Sequence, residues 1–174
     1  MKIREADIRD RPVIEKIYEA AFPTQEAATV ASLAVQLLAA DAPAFSLVAE
    51  VDGSVIAHIA FSPVVVSDDA VIAGFILAPL AVAPDFQKKG AGSKLVDAGL
   101  QRLAESGVDF VLVYGDPDYY GRFGFDAEAA AAFLAPYPLE YPFGWQCRPL
   151  SDRATGRSPA GIRCVAALSR PELW

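Results

Sequence analysis

The sequence predicts a mixed α/β fold in which helices flank a central sheet. An apolar stretch at residues 71–82 is followed by a loop with two glycines and then at once by an amphipathic helical pattern. A second, nearly continuous apolar run at residues 108–114 is typical of a buried parallel strand. A helix between two such strands makes a right-handed β-α-β unit. The dipeptide Asp52-Gly53, between two further apolar runs, predicts a hairpin.

The residues before the hairpin predict one short strand and two helices. The strand covers residues 2–6, and Asp7 follows it as a helix N-cap. Apolar residues at helical spacing predict a first helix from Arg11 to about Phe22 and a second that begins at Thr24. The hairpin strands cover residues 44–51 and 54–63, and the second of them carries His58, the single histidine of the chain.

The C-terminal part is expected to close the fold. Asp116 or Asp118 is suited to cap a short helix with Pro117 in its first turn. Two strands are expected at residues 145–150 and 161–168. A chain of 174 residues is the right size for one domain with a sizeable core. We therefore expect a single domain over residues 1–174, of which residues 127–174 form the closing segment.

Composition excludes several classes of function. The formal charge of −7 disfavours a nucleic-acid-binding protein, which normally carries a basic stripe. No apolar stretch is long enough to span a bilayer, and the charged N-terminus does not resemble a signal peptide. Cys147 and Cys164 lack metal-ligand spacing, so no metal site is expected. We expect a cytoplasmic protein with reduced thiols, no membrane partner and no metal, and the sequence leaves a homodimer open.

The strand, glycine loop and helix at residues 80–95 predict an anion site. The first N–H groups of a helix have no intrahelical partner, and the helix dipole is positive there. Gly90 and Gly92 let the backbone approach a ligand closely, and Lys88, Lys89 and Lys94 add positive charge. The order Ser-Lys after Gly92 is wrong for a nucleoside-triphosphate loop, and a dinucleotide loop needs a small residue in place of Leu95.

A third interpretation rests on two motifs. Gln87, Gly90 and Gly92, after a strand that ends in Leu80, Val82 and Pro84, resemble the coenzyme A pyrophosphate loop of the GCN5-related N-acetyltransferase family. About thirty residues later, the segment 119–125 resembles the family's second motif, aromatic-Tyr-x-Lys/Arg-x-Gly-Phe. The resemblance covers residues 1–126 well and extends to small bacterial N-acetyltransferases of the family. It implies a mixed sheet in which the fourth and fifth strands splay apart.

The resemblance also implies a cofactor, a reaction and a set of site residues. Acetyl-CoA is the expected co-substrate, and an amine on a small molecule or peptide is the expected acceptor, which attacks the thioester directly. Tyr120 is the expected general acid for the departing thiolate. The residues expected to bind the cofactor lie at the end of the central strand and in the loop: Leu80, Val82, Gln87, Lys88, Lys89, Gly90, Ala91, Gly92 and Ser93.

The general base and the acceptor stay open at this point. Many relatives carry a glutamate on the central strand, whereas residues 71–82 contain no ionisable side chain. Asp116, His58 or a chain of waters remains for that role, and Glu26 is a further candidate for acceptor contact. Pro79 has no N–H and predicts an edge or a bulge in this strand. Two alternatives remain: a regulatory domain that binds acyl-CoA without catalysis, which the presence of Tyr120 disfavours, and an acyltransferase with another acyl chain or acceptor.

Overall fold

The computed structural model describes residues 1–39, 43–67 and 69–174, with eight strands and five α-helices. The strands are β1 (Lys2–Glu5), β2 (Phe45–Val51), β3 (Ser54–Val66), β4 (Asp69–Val82), β5 (Phe110–Tyr114), β6 (Phe133–Leu134), β7 (Trp145–Pro149) and β8 (Ala160–Arg163). The helices are α1 (Arg11–Ala21), α2 (Thr24–Leu37), α3 (Ala91–Glu105), α4 (Pro117–Tyr120) and α5 (Ala127–Ala130). No helix among these residues is long and apolar enough to cross a membrane.

Neighbouring strands follow the order β1-β2-β3-β4-β5-β7, and β8 pairs with β3 and β6. The β1–β2, β2–β3 and β5–β7 pairs are antiparallel, whereas β4 and β5 are parallel over Gly74–Leu77 and Phe110–Val113. This mixed sheet with flanking helices confirms the predicted fold class. The register between β4 and β5 ends at Leu77, two residues before Pro79, although β4 continues to Val82. A proline lacks the N–H that a ladder needs, which agrees with an interruption at this point.

Most predicted elements are confirmed with shifted ends. The hairpin turns at Asp52 and Gly53, whose φ angles of 51° and 78° are the pair of positive values that this tight turn requires. Asp7 caps a 3-10 turn, Ile8–Asp10, ahead of α1. Asp116 is the residue that caps α4. The strand predicted at residues 161–168 is wrong in its second half, because the strand ends at Arg163 and residues 166–168 form a 3-10 turn.

The described chain forms two compact units, and each has its own packing. The first contains Met1–Phe61 and Ala78–Gly99, and the second contains Ser62–Leu77 and Leu100–Trp174. In the first unit α1 and α2 pack over the sheet. The buried residues of this cluster are Ile14, Ile17, Tyr18, Ala31, Ala34, Val48 and Ala81. The single-domain expectation remains a prediction.

The second unit is built around Phe110. Its ring is fully buried and stacks on Phe133 with a centroid distance of 3.9 Å. A Cβ at Gly74 would lie 2.1 Å from the Phe110 ring, so only glycine leaves space for that ring on β4. Next to it, the buried Asp109 accepts hydrogen bonds from the Ala73 N–H at 2.9 Å and from the Ser151 hydroxyl. Polar bonds of a buried carboxylate thus fix the start of β5.

Candidate active site

In the first unit, two residues of the loop after β4 have backbone angles with positive φ. Pro84–Phe86 forms a 3-10 turn, after which Lys88 has a φ of 59° and Gly90 a φ of 85°. The Gln87 side-chain amide donates to the Val82 carbonyl at 3.1 Å and so ties the loop back to the end of the strand. Glycine is the residue best suited to positive φ, which accounts for Gly90 at the entry to α3.

The backbone N–H groups of residues 88–93 face no acceptor within the described chain. The first bond that closes the helix runs from the Lys94 N–H to the Gly90 carbonyl at 3.0 Å. The six N–H groups before it donate to no carbonyl or side chain of residues 1–39, 43–67 and 69–174. Consecutive N–H groups at the start of a fifteen-residue helix, with the dipole positive there, make a cradle for an anion. Such a row of N–H groups is suited to bind the phosphate groups of a ligand.

The lysines around this cradle are not equivalent. Lys88 and Lys94 are exposed to solvent beside the cradle. The Lys89 ammonium donates to the Asp85 carbonyl at 2.8 Å and lies 5.5 Å from the centre of the Phe86 ring. Lys89 therefore stabilises its own loop, whereas Lys88 and Lys94 have their charge directed to solvent. All three still add positive potential at the helix start.

The end of β4 presents alternating side chains. Ala81 is buried in the helical core of the first unit, whereas Leu80 and Val82 are half-buried. Because successive side chains of a strand point to opposite faces, Leu80 and Val82 share the face away from that core. Leu80 and Val82 thus lie at the strand end that precedes the loop, and their role in holding the cofactor arm stays a prediction.

In the second unit, Tyr120 ends the four-residue helix α4. Its ring lies edge-on to Tyr119 at 5.0 Å and to Phe125 at 5.8 Å between ring centres. Gly115 makes room for it, since a Cβ there would lie 2.4 Å from Tyr120 Cε2. Sequence reasoning missed this role of Gly115, because a glycine before Asp-Pro is also what an ordinary turn requires.

The Tyr120 hydroxyl lies in an environment that favours its protonated form. It makes no hydrogen bond to any group in the described part of the chain, and burial, with smaller contributions from Tyr119 and Asp116, raises its pKa above the ordinary value. A raised pKa keeps the hydroxyl protonated at neutral pH. Its neighbour Tyr119 has a different environment, because the Arg122 guanidinium lies 4.6 Å from the centre of its ring.

The other ionisable candidates differ in accessibility. His58 is fully buried in β3, where Nδ1 lies 2.9 Å from the Tyr18 hydroxyl, and burial lowers its pKa to about 3. Asp116 is exposed and accepts a hydrogen bond from the Asp118 N–H at 2.9 Å. Glu26 is exposed in the first turn of α2. In the described residues, no group of three or more His, Cys, Asp or Glu side chains is arranged to hold a metal ion.

The sequence of this chain resembles a known family of acetyltransferases. The sequence model of the acetyltransferase (GNAT) family matches residues 11–125. The uncharacterised N-acetyltransferase YjhQ of Escherichia coli strain K12 is 35% identical over 167 residues, which cover 91% of this chain and 89% of that protein. The chain belongs to the GNAT acetyltransferase family.

Two solved structures share both fold and sequence with this chain. The GNAT-family N-acetyltransferase YhbS of Escherichia coli, in complex with CoA, is 31% identical with a TM-score of 0.84, over 97% of this chain and 92% of that one. A GNAT-family acetyltransferase of Brucella melitensis, in complex with acetyl-CoA, is 31% identical with a TM-score of 0.74. That match covers 95% of this chain and 96% of the other.

Proposed function

We propose that this protein transfers the acetyl group of acetyl-CoA to an amine by direct attack of the amine on the thioester. The row of N–H groups at residues 88–93 carries the proposal, because it provides an anion cradle on the very loop that the family uses for coenzyme A. The complexes of the two similar structures with CoA and acetyl-CoA support the same co-substrate.

Each site residue has a role in this proposal. The loop from Gln87 to Ser93 binds the pyrophosphate through the N–H groups of residues 88–93, with Gly90, Ala91 and Gly92 at the start of α3 and Lys88 and Lys89 supplying charge. The backbone at Leu80 and Val82 holds the pantetheine arm and polarises the carbonyl. Acetyl-CoA itself supplies the activated thioester, and much of the acceleration comes from orientation of the two reactants.

The proposed role of Tyr120 is to protonate the departing thiolate. An ordinary tyrosine has a pKa near 10 and a thiol one near 8.5, so the transfer is uphill by about 1.5 units in water. Burial raises the Tyr120 pKa further, which makes the hydroxyl a weaker acid. We therefore expect a contribution at or below the low end of the usual range, roughly ten- to a hundred-fold.

Thermal unfolding with and without acetyl-CoA tests whether this compound is the co-substrate. Acetyl-CoA at about a hundred times its Kd should stabilise the fold by roughly 2.7 kcal/mol and raise Tm accordingly. NAD and ATP are the matched controls, because both carry an adenine and a pyrophosphate. A Tm that rises with NAD or ATP but not with acetyl-CoA would overturn the proposal.

Two tyrosine variants separate an enzyme from a binding module. Tyr120→Phe keeps the ring and removes the hydroxyl, so thiol release in the presence of an accepted amine should fall about ten-fold or more in kcat and in kcat/KM. The affinity for acetyl-CoA should not change. Tyr119→Phe is the control, since the Tyr119 ring contacts Arg122 and Phe123, and it should keep its activity. Equal losses in both variants, or none in Tyr120→Phe, would remove Tyr120 as the acid.

A further inference from the structure

Two aromatic side chains in the second unit are exposed side by side. Tyr141 and Phe143 flank Pro142 in the turn that precedes β7, and their side chains are 53% and 64% exposed. Their ring centres are 5.8 Å apart and the rings are tilted by 58°. A third ring could extend this pair at the 4.5–7 Å spacing that aromatic groups favour. Exposed apolar groups that lie together on a surface mark binding sites more often than single ones do.

Hydrogen bonds fix this pair next to the segment that holds Tyr120. The Tyr141 N–H donates to the Tyr114 hydroxyl at 2.9 Å, and the Gly115 N–H donates to the Gly144 carbonyl at 2.9 Å. Gly115 is also the residue whose missing Cβ makes room for the Tyr120 ring. The exposed pair is therefore attached through Tyr114 and Gly115 to the proposed acid.

The charges of this part of the sequence favour a cationic ligand. From residue 123 to residue 147 the chain contains no Lys, Arg or His, whereas it contains Asp126, Glu128 and Glu140. Glu140 is exposed and directly precedes Tyr141. Aromatic faces and a carboxylate together attract an ammonium group by cation–π and Coulomb interactions. These residues lie beyond residue 125, where the match to the family model ends.

We propose, on the basis of the acetyl transfer proposed above, that Tyr141, Phe143 and Glu140 form the docking surface for the acceptor, and that the acceptor is a primary amine carried on an aromatic ring. The ring of such an arylalkylamine packs against Tyr141 and Phe143. Glu140 attracts the ammonium form from solution, and this ammonium loses one proton to water. The neutral amine then attacks the thioester carbonyl, so that a C–N bond forms and the C–S bond breaks. The nitrogen releases a second proton to water, and the departing thiolate receives one from the Tyr120 hydroxyl, which water reprotonates.

The test compares 2-phenylethylamine with n-butylamine, which present similar ammonium groups with and without a ring. Thiol release from acetyl-CoA is measured for the wild-type protein and for the double variant Tyr141→Ala, Phe143→Ala. We expect kcat/KM of the wild-type protein to favour 2-phenylethylamine by about ten-fold or more, in the range that one apolar contact provides. The double variant should lose this preference, with the KM for acetyl-CoA and the Tm unchanged. Glu140→Gln should raise the KM of both amines by a similar factor, and the increase should shrink at high salt.

Leu134→Ala is the matched control, because Leu134 is an exposed apolar residue of the same unit, 53% exposed, outside this surface. It should keep the preference for the aromatic amine. Equal kcat/KM for the two amines in the wild-type protein, or a preference that survives in the double variant, would overturn the inference. So would the absence of thiol release with either amine while acetyl-CoA still raises Tm. If acetyl-CoA neither binds nor is consumed, the proposed function itself has failed.

Discussion

Gly115→Ala is a substitution that moves the proposed acid without removing it. The added Cβ would lie 2.4 Å from Tyr120 Cε2 and 3.0 Å from Cδ2, whereas ordinary contacts begin at 3.4 Å. The obstacle is a side chain and the backbone at Gly115 needs no positive φ, so the fold has a way to adapt. The Tyr120 ring must therefore shift by about 1 Å.

The size of the effect follows from that displacement. A misplacement of about 1 Å at a reacting group can cost on the order of a hundred-fold in rate. The loss cannot exceed what the hydroxyl contributes, so kcat should fall by roughly ten-fold or more, about as far as in Tyr120→Phe. The variant with both substitutions should be no slower than Tyr120→Phe alone, because the two changes remove one interaction. Overpacking should cost about 1–3 kcal/mol of unfolding free energy.

Steady-state thiol release with an accepted amine, together with Tm, provides the measurement. Gly121→Ala is the matched control, because Gly121 follows Tyr120 directly, has helical angles of −55° and −29°, and has no atom within 4 Å of an added Cβ. It should keep full activity and gain about 0.5 kcal/mol of stability. Unchanged kcat in Gly115→Ala, or losses that multiply in the double variant, would refute the proposed coupling between Gly115 and Tyr120.

Three further predictions concern the cofactor cradle and two buried groups. Gly92→Glu should abolish the Tm shift caused by acetyl-CoA, because its side chain fills the anion cradle and repels the phosphates; the protein alone should still fold, at a lower Tm because Gly92 is buried. Asp109→Asn should lower the unfolding free energy by about 2 kcal/mol at neutral pH in urea titrations. Burial alone would raise the Asp109 pKa, but the hydrogen bonds from Ser151 and Ala73 hold it below the ordinary value. The contribution of Asp109 to the free energy of unfolding is therefore fully present above about pH 3.9 and is lost as the pH falls through the native pKa. The variant should therefore lose less stability on acidification. Burial lowers the pKa of His58 to about 3 in the folded protein, whereas an ordinary histidine has a pKa of about 6.5. Between these pH values unfolding lets His58 take up a proton. The free energy of unfolding should therefore fall from pH 6.5 toward pH 3 by up to about 1.4 kcal/mol per pH unit. His58→Gln should flatten that part of the curve.

Local patterns in the sequence predicted most helices, strands and turns of the fold. The Asp52-Gly53 turn, the cap at Asp116 and the glycine loop before α3 all depend on residues close together in the chain. Such features follow from backbone preferences and unpaired N–H groups at helix ends, which the sequence displays directly. In the described part of the chain the N–H groups of residues 88–93 find no acceptor, and the anion site at this loop stays a prediction.

Features that depend on distant contacts did not follow from the sequence. Gly74 and Gly115 have no local signature for the aromatic rings they accommodate, since the rings of Phe110 and Tyr120 reach them only after folding. The apolar run at residues 161–168 resembles one strand, but only its first residues find partners: Ile162 and Arg163 pair with Val66 and Val65. The strand ends at Arg163 because its pairing with β3 and β6 extends no further, and hydrophobic residues alone do not continue a strand.

The structure also narrows the choice of the base that deprotonates the acceptor. His58 is held neutral by burial, and the Tyr18 hydroxyl lies at its Nδ1, so a proton has no direct path from solvent to its ring. Asp116 is exposed, and its carboxylate already accepts a hydrogen bond from the backbone of α4. Such a carboxylate is a weak base for an ammonium group with a pKa near 10.4. We therefore expect the amine to lose its proton mainly to water before it attacks, so that kcat/KM should rise with pH as the neutral fraction of the amine grows.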